Sequence, residues 1–244
     1  MNTANPVPSP PSSAATLARR LGAEFIGTAL LVTVVVGSGI AASRLSTDVG
    51  LQLLENSIAT ALGLGVLILL LAPVSGAHFN PAVSLVDAVI GAREHRLTPP
   101  HLAAYSAAQI AGGIAGALLA NAMFGVATTI ATTDRASWET VLAEVVATAG
   151  LILLIAGLVR TGRGIPIIAI AVGSYIGAAY WFTSSTSFAN PAVTIGRIFT
   201  DTFAGIAPTS VLPFLLAQLI GAAIGATIAA LLFPRPSTSI TTEA

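Results

Sequence analysis

Cysteine is absent from this chain of 244 residues, and so is lysine. Without cysteine there is no disulfide frame, no zinc–thiolate site and no redox pair, and thiols say nothing about compartment. Charge is scarce as well. Asp, Glu, Lys and Arg together make 8% of the residues, against about 25% in an average soluble domain. Ten arginines balance ten acidic residues, so the net charge is zero and no basic footprint for nucleic acid exists. Disorder by charge and low hydrophobicity is excluded too. In place of charge the chain carries 55% hydrophobic residues and a mean hydropathy of +0.88. That composition describes an all-α polytopic membrane protein.

A helix needs about 20 mostly apolar residues to cross the hydrocarbon core. Six stretches qualify: 22–42, 52–72, 102–124, 141–159, 165–182 and 211–233. The Pro/Ser-rich stretch 1–16 reads as a disordered tail without the charge, short apolar run and cleavage site of a signal peptide. The apolar run after Arg19-Arg20 is too long for a signal sequence and reads as a retained first span. With six spans both termini share a side. Arg19, Arg20, Arg93, Arg96, Arg160, Arg163 and Arg235 fall on that side and only Arg44 and Arg135 in loops on the other. The positive-inside rule makes the first side cytoplasmic, in a cell (inner) membrane. Residues 17–235 then form one domain, and 236–244 a second cytoplasmic tail.

Self-comparison exposes an internal repeat. Ala23-Glu24-Phe25-Ile26-Gly27-Thr28 is echoed by Ala143-Glu144-Val145-Val146-Ala147-Thr148, and His78-Phe79-Asn80-Pro81-Ala82-Val83 by Phe188-Ala189-Asn190-Pro191-Ala192-Val193. A third match, Ala108-Gln109-Ile110-Ala111-Gly112 with Ala217-Gln218-Leu219-Ile220-Gly221, is within reach of composition alone. The chain is thus two copies, about 17–125 and 126–235, of a three-span unit. An odd number of spans per copy turns the second upside down, which places a shared site near the bilayer midplane.

Each Asn-Pro-Ala triplet follows a span and a short polar stretch, then opens an apolar run, 81–90 or 191–199. At 1.5 Å per residue such a run reaches about 15 Å, half the hydrocarbon thickness. These are re-entrant half-helices. Asn is a strong N-cap through its side-chain oxygen, and Pro at the next position gives up only a donor with no intrahelical partner. With the oxygens of Asn80 and Asn190 capping, their NH₂ groups are expected to remain free to face a lumen. Opposed insertion brings two positive helix ends together, which repels cations and offers donors to a neutral, oxygen-bearing solute. Non-helical backbone at that depth requires a water-filled path or burial in protein.

On these motifs, with Ser75-Gly76-Ala77-His78-Phe79-Asn80-Pro81-Ala82-Val83 foremost, the chain resembles the aquaporin and aquaglyceroporin (major intrinsic protein) family over about 17–235. The resemblance implies six tilted helices plus two half-helices, one pore per subunit, a homotetramer, and passive conduction with no cofactor. It also implies that Glu24 and Glu144 accept hydrogen bonds from the re-entrant loops and that His78 helps fix the first loop. An unpaired glutamate there would be costly.

In water-selective relatives an arginine follows the second triplet; here that position is Val193. Matching the other filter positions by spacing gives Leu62, with Thr60 as the alternative, then Ala178 and Ser187. This set carries no fixed charge, so the expected aperture is wide, weakly polar and not restricted to water. Glycerol facilitators keep the arginine and follow it with Asp, where this chain has Val193-Thr194. Tyr180-Trp181-Phe182-Thr183-Ser184-Ser185-Thr186-Ser187-Phe188 and Asp201-Thr202-Phe203-Ala204-Gly205-Ile206 resemble arsenic-associated bacterial aquaporins. That implies small neutral solutes such as undissociated arsenous acid, glycerol and water as partners, beside the lipid bilayer. A water-selective pore and an ion-coupled transporter are the alternatives.

Arg197 has two readings. It lies seven residues after Asn190, as Asp87 lies seven after Asn80. Either these two line the vestibules, Arg197 partly replacing the lost filter charge, or Arg197 snorkels or pairs with Asp201. Gly112 and Gly116, like Gly221 and Gly225, form small-xxx-small pairs suited to close helix crossing within a subunit. His95 between Arg93 and Arg96 is either a cytoplasmic pH sensor or merely solvated.

Overall fold

The computed structural model describes residues 13–91 and 96–234. Arg93, His95, Arg235 and the tails at 1–12 and 236–244 lie outside the described residues. Among the described residues eight α-helices run in chain order: α1 (Ser13–Leu45), α2 (Val49–Ser75), α3 (Pro81–Ile90), α4 (Pro99–Met123), α5 (Trp138–Arg160), α6 (Ile165–Phe182), α7 (Pro191–Gly196) and α8 (Pro208–Leu232). A single 3-10 turn, Arg197–Phe199, extends α7, and the described residues contain no strand. Residues 13–16, part of the stretch read as tail, are the first turn of α1. Six of these helices, all but α3 and α7, are long and apolar enough to cross a membrane.

The ends of the helices follow from local chemistry. Asp48 caps α2 by accepting from the Leu51 N–H, and α2 stops at Gly76, whose φ of 92° a side chain would strain. Ser137 and Thr140 close a reciprocal capping box at the start of α5. Asn80 and Asn190 cap α3 and α7 in extended conformation, each followed by proline at the first helical position.

The repeat is visible in the packing. A Cβ on Gly112 would lie 2.3 Å from the Phe25 carbonyl oxygen, and one on Gly221 2.5 Å from that of Val145. One turn on, Gly116 and Gly225 would strike the Ala29 and Ala149 carbonyls at 2.1 and 2.3 Å. The residues struck are themselves repeat partners, so α4 crosses α1 as α8 crosses α5. These small-xxx-small pairs bring helices together inside one subunit. A further pair, Gly113 and Gly196, lets α7 rest on α4: a Cβ on Gly196 would lie 2.5 Å from the Gly113 oxygen.

Each long helix turns one face inward and another out. On α2, Leu62, Val66 and Leu70 are 61–66% exposed, while Thr60, Leu64 and Ile68 are buried. The outward face is what a helix offers to lipid or another subunit, the inward one is the wall of the central cavity.

Candidate functional site

The loops preceding the two triplets are built alike. Gly76, Ala77 and Phe79 have positive φ (92°, 50° and 49°), and so do their repeat partners Thr186, Ser187 and Ala189 (61°, 51° and 47°). Five of the six are not glycine, so the conformation is held against a local cost of order 1–2 kcal/mol each. What holds it is a buried carboxylate. Glu24 Oε1 accepts from Ser75 Oγ (2.6 Å) and the His78 N–H (3.0 Å), and Oε2 accepts from the Phe79 N–H and Gln109 Nε2 (both 2.7 Å). Glu144 repeats the pattern: Ser185 Oγ (2.7 Å) and the Phe188 N–H (2.8 Å) on one oxygen, the Ala189 N–H (2.9 Å) and Gln218 Nε2 (2.7 Å) on the other. Four hydrogen-bonding partners per carboxyl group leave neither of its oxygens unsatisfied. The same glutamine groups reach on to Ser84 and Thr194 in the half-helices, both at 2.9 Å. The glutamine match in the repeat is therefore functional geometry, which composition had obscured. His78 contributes its backbone N–H to Glu24 and its ring Nδ1 to a 3.0 Å contact with Ser84 Oγ.

At the centre the half-helices meet tip to tip. Asn80 Oδ1 caps the Ala82 N–H and Asn190 Oδ1 the Ala192 N–H, both at 2.9 Å. Their NH₂ groups are not wholly free, contrary to expectation. Asn80 donates one hydrogen to the Ala189 carbonyl and Asn190 one to the Phe79 carbonyl, each at 2.8 Å. This reciprocal exchange is the mark of two-fold related, inverted halves. It fixes each side chain and leaves one N–H per asparagine to donate elsewhere.

A cavity of about 510 Å³ passes this junction. Its wall follows α6 at Ile165, Ile168, Val172, Ile176 and Tyr180, and α2 at Thr60, Leu64, Ile68 and Ala72. The α6 stretch alone covers about 22 Å at 1.5 Å per residue. Asp87, Gly91 and Arg160 stand at the end where α1 begins and α8 stops, and Thr60, Tyr180 and Arg197 toward the other. Asn80, Asn190, Ser187 and Val193 lie between. The Asp87 carboxylate accepts from the Leu97 N–H at 3.1 Å.

Two residues placed in the filter by spacing lie elsewhere. Leu62 is 66% exposed and Ala178 is exposed too; neither lines the cavity. The lining positions are Thr60 on α2, and Ile176 and Tyr180 on α6. A slip of two residues turns a helical position by about 200°, from the inner to the outer face. Thr60 and Tyr180 meet on the cavity wall, where α2 and α6 adjoin, Oγ1 to Oη at 3.1 Å. Ser187 is buried with a hydroxyl that has no protein partner. Tyr180 was missed altogether, although the i, i+4 series ending in Ile176 and Tyr180 was there to read.

Nor is the wall free of fixed charge. Arg197 is 4% exposed and lines the cavity. Its guanidinium carbon sits 3.5 Å from the centre of the Phe188 ring, and its Nε donates to the Ala204 carbonyl. Asp201 is occupied elsewhere, accepting from the Thr132 N–H (2.9 Å) and hydroxyl (3.1 Å). The anticipated Arg197–Asp201 pair does not form.

The known proteins that match fit this geometry. The family model described as "Major intrinsic protein" matches residues 12–187. An aquaglyceroporin, AqpS, from Rhizobium meliloti is 50% identical over 211 residues, covering 84% of this chain and 86% of its own length. The glycerol uptake facilitator protein of Pseudomonas aeruginosa is 30% identical over 269 residues, covering 93% and 90%. Among solved structures, the aquaglyceroporin from Plasmodium falciparum superposes with a TM-score of 0.64 at 20% identity, over 89% of this chain and 95% of that one.

Proposed function

The chain belongs to the major intrinsic protein family, a family of membrane channels and not of enzymes, and from that premise we propose that it conducts small neutral solutes passively. The solute class we infer is polyhydroxy and uncharged: glycerol and undissociated metalloid hydroxides such as arsenous acid, with water. The observation that carries this reading is Val193 on the cavity wall directly after the second triplet. A valine there leaves open the space that a filter arginine would occupy. The rest of the wall suits such a solute. Aliphatic stretches accept a carbon face or a weakly hydrated hydroxide, and Ser187, Thr60, Tyr180 and the spare N–H groups of Asn80 and Asn190 offer hydrogen bonds at intervals.

In this reading Asn80-Pro81-Ala82 and Asn190-Pro191-Ala192 form the central polar junction, where the positive half-helix ends disfavour cations. Thr60, Tyr180, Ser187 and Val193 form the filter. Glu24, Glu144 and His78 support the loops, and Asp87 stands at the cytoplasmic vestibule. The charge count supports a cell-membrane orientation with both termini on the cytoplasmic side and Thr60 and Arg197 toward the outside. The family resemblance supports a homotetramer. Light scattering on proteoliposomes tests the proposal: glycerol and arsenous acid should enter rapidly down their gradients. Uphill accumulation driven by a proton or sodium gradient would instead make the protein a coupled transporter.

A further inference from the structure

Resting on the reading of the chain as a neutral-solute channel, we propose that size and charge selection reside on different residues: Val193 sets the width, Arg197 supplies the outer cation barrier, and Arg135 is the residue that positions Arg197.

Arg135 and Arg197 flank one ring. The Arg197 guanidinium carbon is 3.5 Å from the centre of Phe188 and that of Arg135 is 5.6 Å from it. Phe188 is itself pinned edge-on by Phe214 at 5.2 Å. The two arginines also grip one turn. Arg135 donates to the Phe203 carbonyl (Nη2, 2.8 Å) and the Gly205 carbonyl (Nε, 2.6 Å), and Arg197 Nε takes the Ala204 carbonyl between them. Three successive carbonyls are thus held by alternating guanidinium groups. Arg135 is drawn into place by its own backbone, whose N–H donates to Ser210 Oγ at 2.8 Å.

Of these two arginines, Arg197 belongs to the cavity wall and Arg135 does not. Its Nε is committed to Ala204 and one face to Phe188, which leaves the terminal nitrogens with no protein hydrogen bond. Among the described residues no carboxylate pairs with either arginine, Asp201 being held by Thr132. A guanidinium whose nearest carboxylate, Glu144, acts on it only through space, without a salt bridge, still repels cations beside a tube of low-dielectric walls and acts only weakly on an uncharged solute. One helical turn separates it from Val193, so the lumen keeps its width where the valine stands and its charge where the arginine stands. Carbonyl contacts hold the guanidinium without neutralising it.

The cysteine-free chain allows a test on full-length protein in proteoliposomes. Methylammonium leak under an imposed potential is read beside glycerol entry, with osmotic water flow confirming an intact pore. Arg197→Gln and Arg197→Cys should raise the ratio of methylammonium leak to glycerol entry roughly tenfold, by removing one charge from a low-dielectric wall. On Arg197→Cys, 2-aminoethyl methanethiosulfonate should restore the low ratio, and the uncharged methyl reagent should leave it high. An unchanged ratio in both variants overturns the proposal, as does an equal response to the two reagents in the same folded protein. Arg135→Gln should raise the ratio less, and should add nothing on the Arg197→Gln background. Additive leaks would mean that Arg135 does not act through Arg197. Absence of glycerol entry in the unmodified protein would sink the solute assignment, and the charge comparison would then be read as methylammonium leak against osmotic water flow.

Discussion

Val193 and Ser187 stand on the cavity wall where spacing from the triplets placed them, whereas Leu62 and Ala178 do not. The difference is physical. Ser187 and Val193 are three residues from Asn190, fixed by the rigid loop and the first half-helical turn. Leu62 and Ala178 were reached by counting across a whole span or loop, where a two-residue error inverts the helix face. The residue scale also carries the sharpest substitutions. Val193→Arg should cut glycerol entry by about tenfold or more by placing a guanidinium in the lumen, measured by light scattering at equal protein density. Gly116→Val would drive side-chain atoms past a Cβ already 2.1 Å from the Ala29 oxygen, so monodisperse protein should be lost in size-exclusion chromatography. Gly22→Ala, with nothing within 4 Å of the new Cβ, should be neutral or stabilising by up to about 1 kcal/mol.

The two re-entrant elements were legible because they repeat Asn-Pro-Ala, a cap with an obvious local mechanism. Their supports were only half legible. Glu24 and Glu144 stand out as charges on apolar spans, but Ser75, Ser185, Gln109 and Gln218 look like ordinary helix or loop residues until the fold brings them onto the carboxylates. Glu144→Ala should strand four donors. At about 1–3 kcal/mol per buried unsatisfied group the loss is comparable with the whole stability of a typical fold, about 5–15 kcal/mol, and a thermal-shift assay should show a large drop in Tm or loss of cooperative unfolding. The loop 124–137 is a second such element. It carried no sequence signal beyond Arg135, yet it clasps the 197–207 segment through Ala131, Thr132 and Arg135. Beside it the Ser210 hydroxyl, followed by the Ala136 N–H, holds the Asp134 carboxyl below its usual range. A depressed value in the folded state stabilises above the ordinary carboxylate pKa and is lost as pH falls through the depressed one. The protection of amides in 124–137, measured against their intrinsic exchange rates, should therefore hold at mildly acid pH and fall only below about pH 3.9.

For the whole molecule, inverted symmetry is the organising fact. It pairs Glu24 with Glu144, Asn80 with Asn190 and the α1–α4 crossing with α5–α8, and it brings both helix tips to one point. It is broken at particular positions: His78 is matched by Phe188, Asp87 by Arg197, and Gly27, packed beneath the bulky Phe79, by Ala147, where the counterpart of Phe79 is the small Ala189. Those mismatches were readable from the repeat alignment, but their meaning was not, since nothing in sequence tells that Phe188 lies between two arginines. Mercurial reagents should leave transport unaffected, because there is no thiol to modify; inhibition reversed by added thiols would contradict this.

The central claim is that the pore is wide because valine follows the second triplet. The most direct test compares osmotic water flow, glycerol entry and arsenous acid entry in the same proteoliposomes, for the native chain and for Val193→Arg. Rapid entry of both solutes, strongly reduced by the arginine while water flow persists, is the predicted result. Fast water flow with both solutes excluded from the native pore would contradict it, and would make the lumen narrow in spite of Val193.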